Sequence, residues 1–378
     1  MIVVTPNLVA ALELDTRAAP YLEEKSPTTN PSGDDFMSIR KITAGAVVLP
    51  AAVLGLTAAL ALGTVSTASA DADHVSAHGD SEHGYSGHGQ DSSGPSDHEQ
   101  AAMQKAAPKP AKGPSTFLAA ELSGDQEVPT PNGPAVGDQD GKATALVEIK
   151  GDRIIFALQW KGIAAPTLGH IHEGQAGVNG GVKVPLFATA MPATVSATAG
   201  TLSVTDAKLA QDIRTNPAGF YVNLHTAEFP GGAVRGQLKP VGKRINPLQI
   251  VHGGKLRALA SGAQEVPPAD GKAVGDPDGF AVAFLQPKDN AISYSLAWVN
   301  IGAPTLGHLH QGQFGQNGPV KVNLFTTAIP QNIFAVSGTV NDVDPAIINE
   351  IHSDPTGFYA NLHSEEFPGG AVRGQLLG

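Results

Sequence analysis

Apolar and polar residues alternate with a period of two in several short stretches of the chain, each bounded by turn-forming residues. Ala143, Ala145, Val147 and Ile149 occupy every second position of one run, and after Lys150-Gly151-Asp152 a nearly continuous apolar run extends from Ile154 to Trp160. A period of two places alternate side chains on one face of a strand, and a short Gly-Asp break between two such runs signals a hairpin. Phe220 to His225 and Ala233 to Leu238 predict two more strands around Pro230-Gly231-Gly232. One short helix is predicted at Asp206 to Ile213. Its counterpart opens with Asp344-Pro345, an N-cap residue followed by proline at the first helical position. Short strands with frequent turns predict an all-β protein of antiparallel, sandwich-like domains, each with one short helix.

The pattern repeats. Gln126-Glu127-Val128-Pro129 matches Gln264-Glu265-Val266-Pro267, Trp160 matches Trp298, and Ala165 through His170 matches Ala303 through His308. Asn223-Leu224-His225 matches Asn361-Leu362-His363, and Glu228 through Leu238 matches Glu366 through Leu376 letter for letter. Every pair is offset by 138 residues, so there is no net insertion between copies. Self-similarity of this kind marks a duplicated domain. The expected units are residues 116–240 and 254–378, each of ordinary domain size.

Upstream, the periodicity disappears. Arg40 and Lys41 precede an apolar run from about Ala44 to Leu62, and Ala68-Ser69-Ala70 follows. Basic start, apolar middle and A-x-A ending predict a secretory signal over 37–70, cleaved after Ala70. The alternative is an uncleaved anchor, since the apolar run is almost long enough to span a bilayer. Residues 1–36 lie before a complete signal, so Met37 is the expected start and 1–36 a non-native extension. Residues 71–115 are low in complexity and hold His74, His78, His83, His88 and His98. With almost nothing apolar to bury, they are expected to be a disordered, His-rich linker, either a loose metal-scavenging tether or a plain spacer. The expected location is secreted or cell envelope.

Composition narrows the chemistry. The net charge of −11 argues against nucleic acid, which needs basic patches, and leaves no polybasic surface for anionic lipid. A membrane becomes a partner only if the signal segment is uncleaved. The chain has no cysteine, which removes disulfides, thiolate metal sites and cysteine nucleophiles. Gly174-Gln175-Ala176-Gly177 and Gly312-Gln313-Phe314-Gly315 lack the phosphate-loop lysine and the dinucleotide pattern. Neither G-x-S-x-G nor H-E-x-x-H occurs. No residue is assigned a catalytic role.

The candidate site is histidine-based. His170 and His172 alternate with Ile171, so in a strand they share a face, as do His308 and His310. Tyr221, Asn223 and His225 share a face of the next conspicuous strand, with Tyr359, Asn361 and His363 as counterparts. If these strands are near each other, each unit gathers three imidazoles, a set that suits copper or zinc with an open fourth position. Tyr221, Asn223, Glu228 and their counterparts Tyr359, Asn361 and Glu366 are expected to support the ligands from behind. The competing reading is that the histidines only hydrogen-bond within a polar face. Arg235 and Arg373 are expected to form structural ion pairs with Glu228 and Glu366. His252 and His352 have no histidine counterpart and read as incidental.

The blocks Gln126 to Pro129, Gly169 to His172, and Tyr221 through Leu238, with their second copies, resemble the CHRD family, the domain named for chordin. The resemblance covers both units and implies a β-sandwich-like domain of poorly defined function. In chordin the domains belong to an extracellular protein that binds growth factors, a partner not transferable here. His170 and His172 also look like the copper-ligand pair of copper/zinc superoxide dismutase. This chain shows no bridging-histidine loop, zinc-site cluster or disulfide, so that activity is not carried over. The favoured reading is an extracytoplasmic binding module for a metal ion or an extracellular protein. A redox metalloenzyme and a purely structural adhesion module remain alternatives.

Overall fold

The computed structural model describes residues 111–250 and 254–378. The expected signal segment, the region before it, nearly all of the His-rich linker and His252 lie outside the described residues. The first copy comprises β1 (Ser115–Ser123), β2 (Lys142–Lys150), β3 (Arg153–Lys161), β4 (Leu168–Glu173), β5 (Val182–Phe187), β6 (Val195–Ser203), α1 (Ala207–Thr215), β7 (Phe220–His225), β8 (Val234–Gln237) and β9 (Lys239–Pro240). The second comprises β10 (Leu256–Ser261), β11 (Phe280–Lys288), β12 (Ala291–Val299), β13 (Leu306–Gln311), β14 (Val320–Phe325), β15 (Ile333–Val340), α2 (Pro345–Ser353), β16 (Phe358–His363) and β17 (Val372–Gln375). The chain is all-β with one short helix per copy, as the periodicity predicts.

Each copy is two antiparallel sheets. In the first, β1-β2-β3-β6 form one sheet and β5-β4-β7-β8 the other. They meet at a corner where Ser123 pairs with Arg235. The second copy repeats this, with Ser261 pairing with Arg373 at its corner. Ala145, Val147 and Ile149 of β2 and Phe156 and Leu158 of β3 face Ile171, Val222, Leu224 and Val234 of the second sheet, all buried. Burying a side chain of the size of Leu or Phe contributes about 1.5–3 kcal/mol, so this layer dominates the stability of each sandwich. The helices pack on this core. Asp206 caps α1 by accepting from the backbone N–H groups of Lys208 and Leu209, and α1 buries Ala210 and Ile213. Asp344 caps α2, with Pro345 in its first turn.

The two copies are joined edge to edge. β6 pairs antiparallel with β15, and Thr198 lies opposite Val336. These two residues occupy the same position in their copies, so a local two-fold axis passes between them. The flanking bonds obey it: Thr201 N–H donates to the Asn332 carbonyl at 2.8 Å, and Thr339 N–H to the Thr194 carbonyl at 2.9 Å. Such a self-complementary contact is the isologous type found in two-fold dimers. The result is one continuous eight-stranded sheet. Leu158 and Leu296 point from it into the two cores. Ala157, Ala199, Ala297 and Ala335 point the other way and are covered by Ile250 of the Pro247–Ile250 turn in the connecting segment. Small alanine side chains let that segment lie close to the sheet. Both second sheets therefore stand on the same side of the long sheet, opposite this turn.

Candidate metal centre

Strand β4 places His170 and His172 on one face and sends Ile171 into the core. Strand β7 pairs with it so that His170 lies opposite Asn223, and His172 opposite Tyr221. Tyr221, Asn223 and His225 consequently share the face of the two β4 histidines. The close approach of Phe187 helps seat β4: a Cβ on Gly169 would lie 2.4 Å from that ring. All six residues of β7 are buried, although alternation alone predicts one wet face. The loops containing Glu127, Gln175–Gly181 and Thr226–Gly232 contact this face and close over it.

The histidines converge. His170 Nδ1 lies 3.3 Å from His225 Nε2, and His308 Nδ1 lies 3.1 Å from His363 Nε2. Within each trio one nitrogen per ring lies within 4.8 Å of the others. Backbone carbonyls orient the outer two rings. His172 Nδ1 bonds the Gly180 carbonyl at 3.0 Å, and His225 Nδ1 bonds the Pro230 carbonyl at 3.0 Å. A carbonyl only accepts, so Nδ1 carries the proton and Nε2 is left with a lone pair aimed inward. The second copy repeats both bonds, to Gly318 and Pro368 at 2.9 and 3.0 Å.

The site favours neutral imidazole. Burial, then the neighbouring rings of His225 and His172, push His170 down to about 4, and His308 likewise falls to about 4. Burial also lowers His172, His225, His310 and His363. The charge of Arg235 acts in the same direction on His172. Neutral imidazole is the form that ligates metal.

Behind the ligands stands a stack. The Tyr221 ring lies parallel to His172 at 4.9 Å, and the Arg235 guanidinium sits 3.4 Å from the Tyr221 ring centre. The second copy has the same stack at 4.8 and 3.5 Å. Arg235 donates to Asn179 Oδ1 and to the carbonyls of Gln175 and Val178. The expected ion pairs of Arg235 and Arg373 with Glu228 and Glu366 are replaced by these stacks and loop bonds. Glu228 and Glu366 are exposed in their turns, and the imidazole partners there are the prolyl carbonyls, because the turn points its backbone inward and its carboxylate outward.

A carboxylate that sequence reasoning gave no role lies inside instead. Glu127 accepts from Asn223 Nδ2 at 3.4 Å, and burial pushes it up to about 7 against the pull of Arg235. Glu265 repeats this with Asn361. Its signal was present in the repeated Gln-Glu-Val-Pro block, but nothing local says where that block docks. Tyr221, Asn223, Tyr359 and Asn361 all lie beside the histidines. His352 is on α2 and belongs to neither trio.

Among the described residues, His172 Nε2, Asn223 Oδ1 and Glu127 Oε1 are buried without a hydrogen-bond partner, and His310 Nε2, Asn361 Oδ1 and Glu265 Oε1 repeat the set. With Glu127 ionised, each is an acceptor. Such a set calls for a cation or for a ligand that brings protons, and not for an anion.

The chain matches no curated protein in a sequence comparison. The model of the CHRD domain matches residues 118–238 and 256–376, and these are the two sandwiches whose equivalent strands carry the histidine trios. The chain belongs to the CHRD domain family and carries two tandem copies of the domain.

Proposed function

We propose that this protein is an exported binding module that holds one copper or zinc ion in each domain. His170, His172 and His225 would be the ligands of the first site, and His308, His310 and His363 those of the second. The carrying observation is the convergence of three neutral imidazoles, two of them with tautomers set by backbone carbonyls. Two nitrogens 3.3 Å apart subtend roughly 110° at an ion about 2.0–2.1 Å from each, close to the tetrahedral angle. The 3.1 Å pair subtends about 100° on the same basis. Imidazole suits copper and zinc, and three ligands leave one position for water or a donor-bearing group. Tyr221, Asn223, Tyr359 and Asn361 support the ligands.

Export rests on residues 37–70, read as a cleaved signal, with 1–36 as an extension and 71–115 as a His-rich tether. Secretion or the cell envelope is the corresponding location. Among the described residues no helix is long and apolar enough to cross a membrane.

The test is metal analysis of the untagged chain from Asp71 onward, after loading with copper or zinc and dialysis. The expected result is about two ions beyond those held by the 71–115 tether alone. His172→Ala should lower that number by one. No difference between the chain and its tether would refute the reading. Superoxide turnover by the loaded protein, lost in His172→Ala, would instead favour a redox metalloenzyme.

A further inference from the structure

Among the described residues, Arg235 and Arg373 are the largest fully buried side chains. Burying a cation is costly unless it is well partnered, yet the atoms that accept from these guanidinium groups are neutral: an asparagine oxygen and two carbonyls in each copy. The charges of Glu127 and Glu265 reach them, but neither carboxylate bonds a guanidinium group directly. Arginine keeps its proton throughout. Each domain thus stores a positive charge in its interior beside the histidine trio.

Two routes lead from that charge to one ligand. The guanidinium ties down the Gln175–Asn179 loop, and the adjoining Gly180 carbonyl holds His172 Nδ1. It also stacks on Tyr221, which stacks on His172, in steps of 3.4 and 4.9 Å. That span is on the order of one Debye length and is filled by an aromatic ring, so salt screens little of it. Three neutral imidazoles contribute no negative charge to offset an incoming ion. A doubly charged ion therefore meets about twice the repulsion that a singly charged one meets at the same place.

We infer that Arg235 and Arg373 are positioning residues for His172 and His310, and that their buried charge biases copper in these sites toward the singly charged ion. The inference rests on the metal-binding reading above. It assigns to each site the cuprous state as the better held of the two.

The experiment is an anaerobic redox titration of the copper-loaded full chain, in which mediators supply the electron for Cu2+ + e− ⇌ Cu+ and the Cu2+ paramagnetic signal is followed. Copper content is measured first. A wild-type chain with no copper at the two trios ends the metal reading itself. With copper bound, the two wild-type sites should titrate together. Arg235→Met should split them: the first site moves to lower potential, with Cu2+/Cu+ at least tenfold higher at a given potential, equivalent to about 59 mV for one electron. The unaltered second site is the internal reference. Arg235→Lys keeps the charge and should stay within about threefold of wild type. An unsplit titration in Arg235→Met, or an equal shift in Arg235→Lys, would overturn the inference. If Arg235→Met loses its first copper, the lysine variant decides: wild-type potential supports the inference, and loss of that copper too overturns it.

Discussion

Replacing Gly232 by alanine tests whether the cover over the histidines is held in the way described. Gly232 has φ +137°, a region that residues with a side chain rarely adopt. Forcing alanine there costs about 1–3 kcal/mol. Space adds to this. A Cβ at Gly232 would lie 2.5 Å from Glu127 Oε1 and 2.7 Å from Asn223 Nδ2, so the buried carboxylate must shift and its bond to Asn223 must stretch. Losing part of that bond adds about 1 kcal/mol, giving about 2–4 kcal/mol in all. With a urea slope of about 2 kcal/mol/M, the first domain's midpoint should fall by roughly 1–2 M. The duplication supplies a control. Gly370 has φ +140° and would meet Glu265 Oε1 at 2.6 Å, so Gly370→Ala should destabilise the second domain by a similar amount. Domain-resolved unfolding, read from amide exchange in urea, distinguishes the two. A loss under about 1 kcal/mol in either variant, or losses differing by more than about 2 kcal/mol, would show that the glycine does not hold the cover in place.

Two further outcomes are expected. His170 and His308 are lowered to about 4 from an ordinary 6.5, so the unfolded chain binds their protons first. The stability they give the metal-free protein is full above about pH 6.5 and is lost as pH falls toward 4; after discounting for solvent screening it is about 1 kcal/mol per domain. Glu127 and Glu265, raised to about 7, act with the opposite sign between about pH 4.5 and 7. The measurement is therefore the difference between wild type and a His170→Asn/His308→Asn double variant, which should change between pH 7.5 and 4; a constant difference would contradict the assignment. Asp206→Ala removes two capping bonds of 2.9 and 3.1 Å at α1 and should cost about 1 kcal/mol by denaturation, and an unchanged midpoint would count against the cap.

Much of the candidate site is legible in the sequence. The alternation in Gly169-His170-Ile171-His172 placed two imidazoles on one face, because strand geometry is local. The same rule grouped Tyr221, Asn223 and His225. Glu127 was not legible as a site residue, since its partner Asn223 is 96 residues away and no local pattern encodes that docking. Glu228 was close in sequence to His225 yet faces solvent, because the turn presents the Pro230 carbonyl. Arg235 shows the same limit: its partners lie 56 to 60 residues upstream in a loop without periodicity.

By itself the sequence determined strands β2, β3, β4, β7 and β8 with their second copies, the helix caps, the duplication and which side chains share a face. These follow from backbone geometry over a few residues and from a constant offset. Only the tertiary structure decided that β4 lies beside β7, that loops cover the histidine face, and that β6 joins β15 about a two-fold axis. Those are pairings between distant segments. They are chosen by how whole surfaces pack and by which buried polar groups find partners.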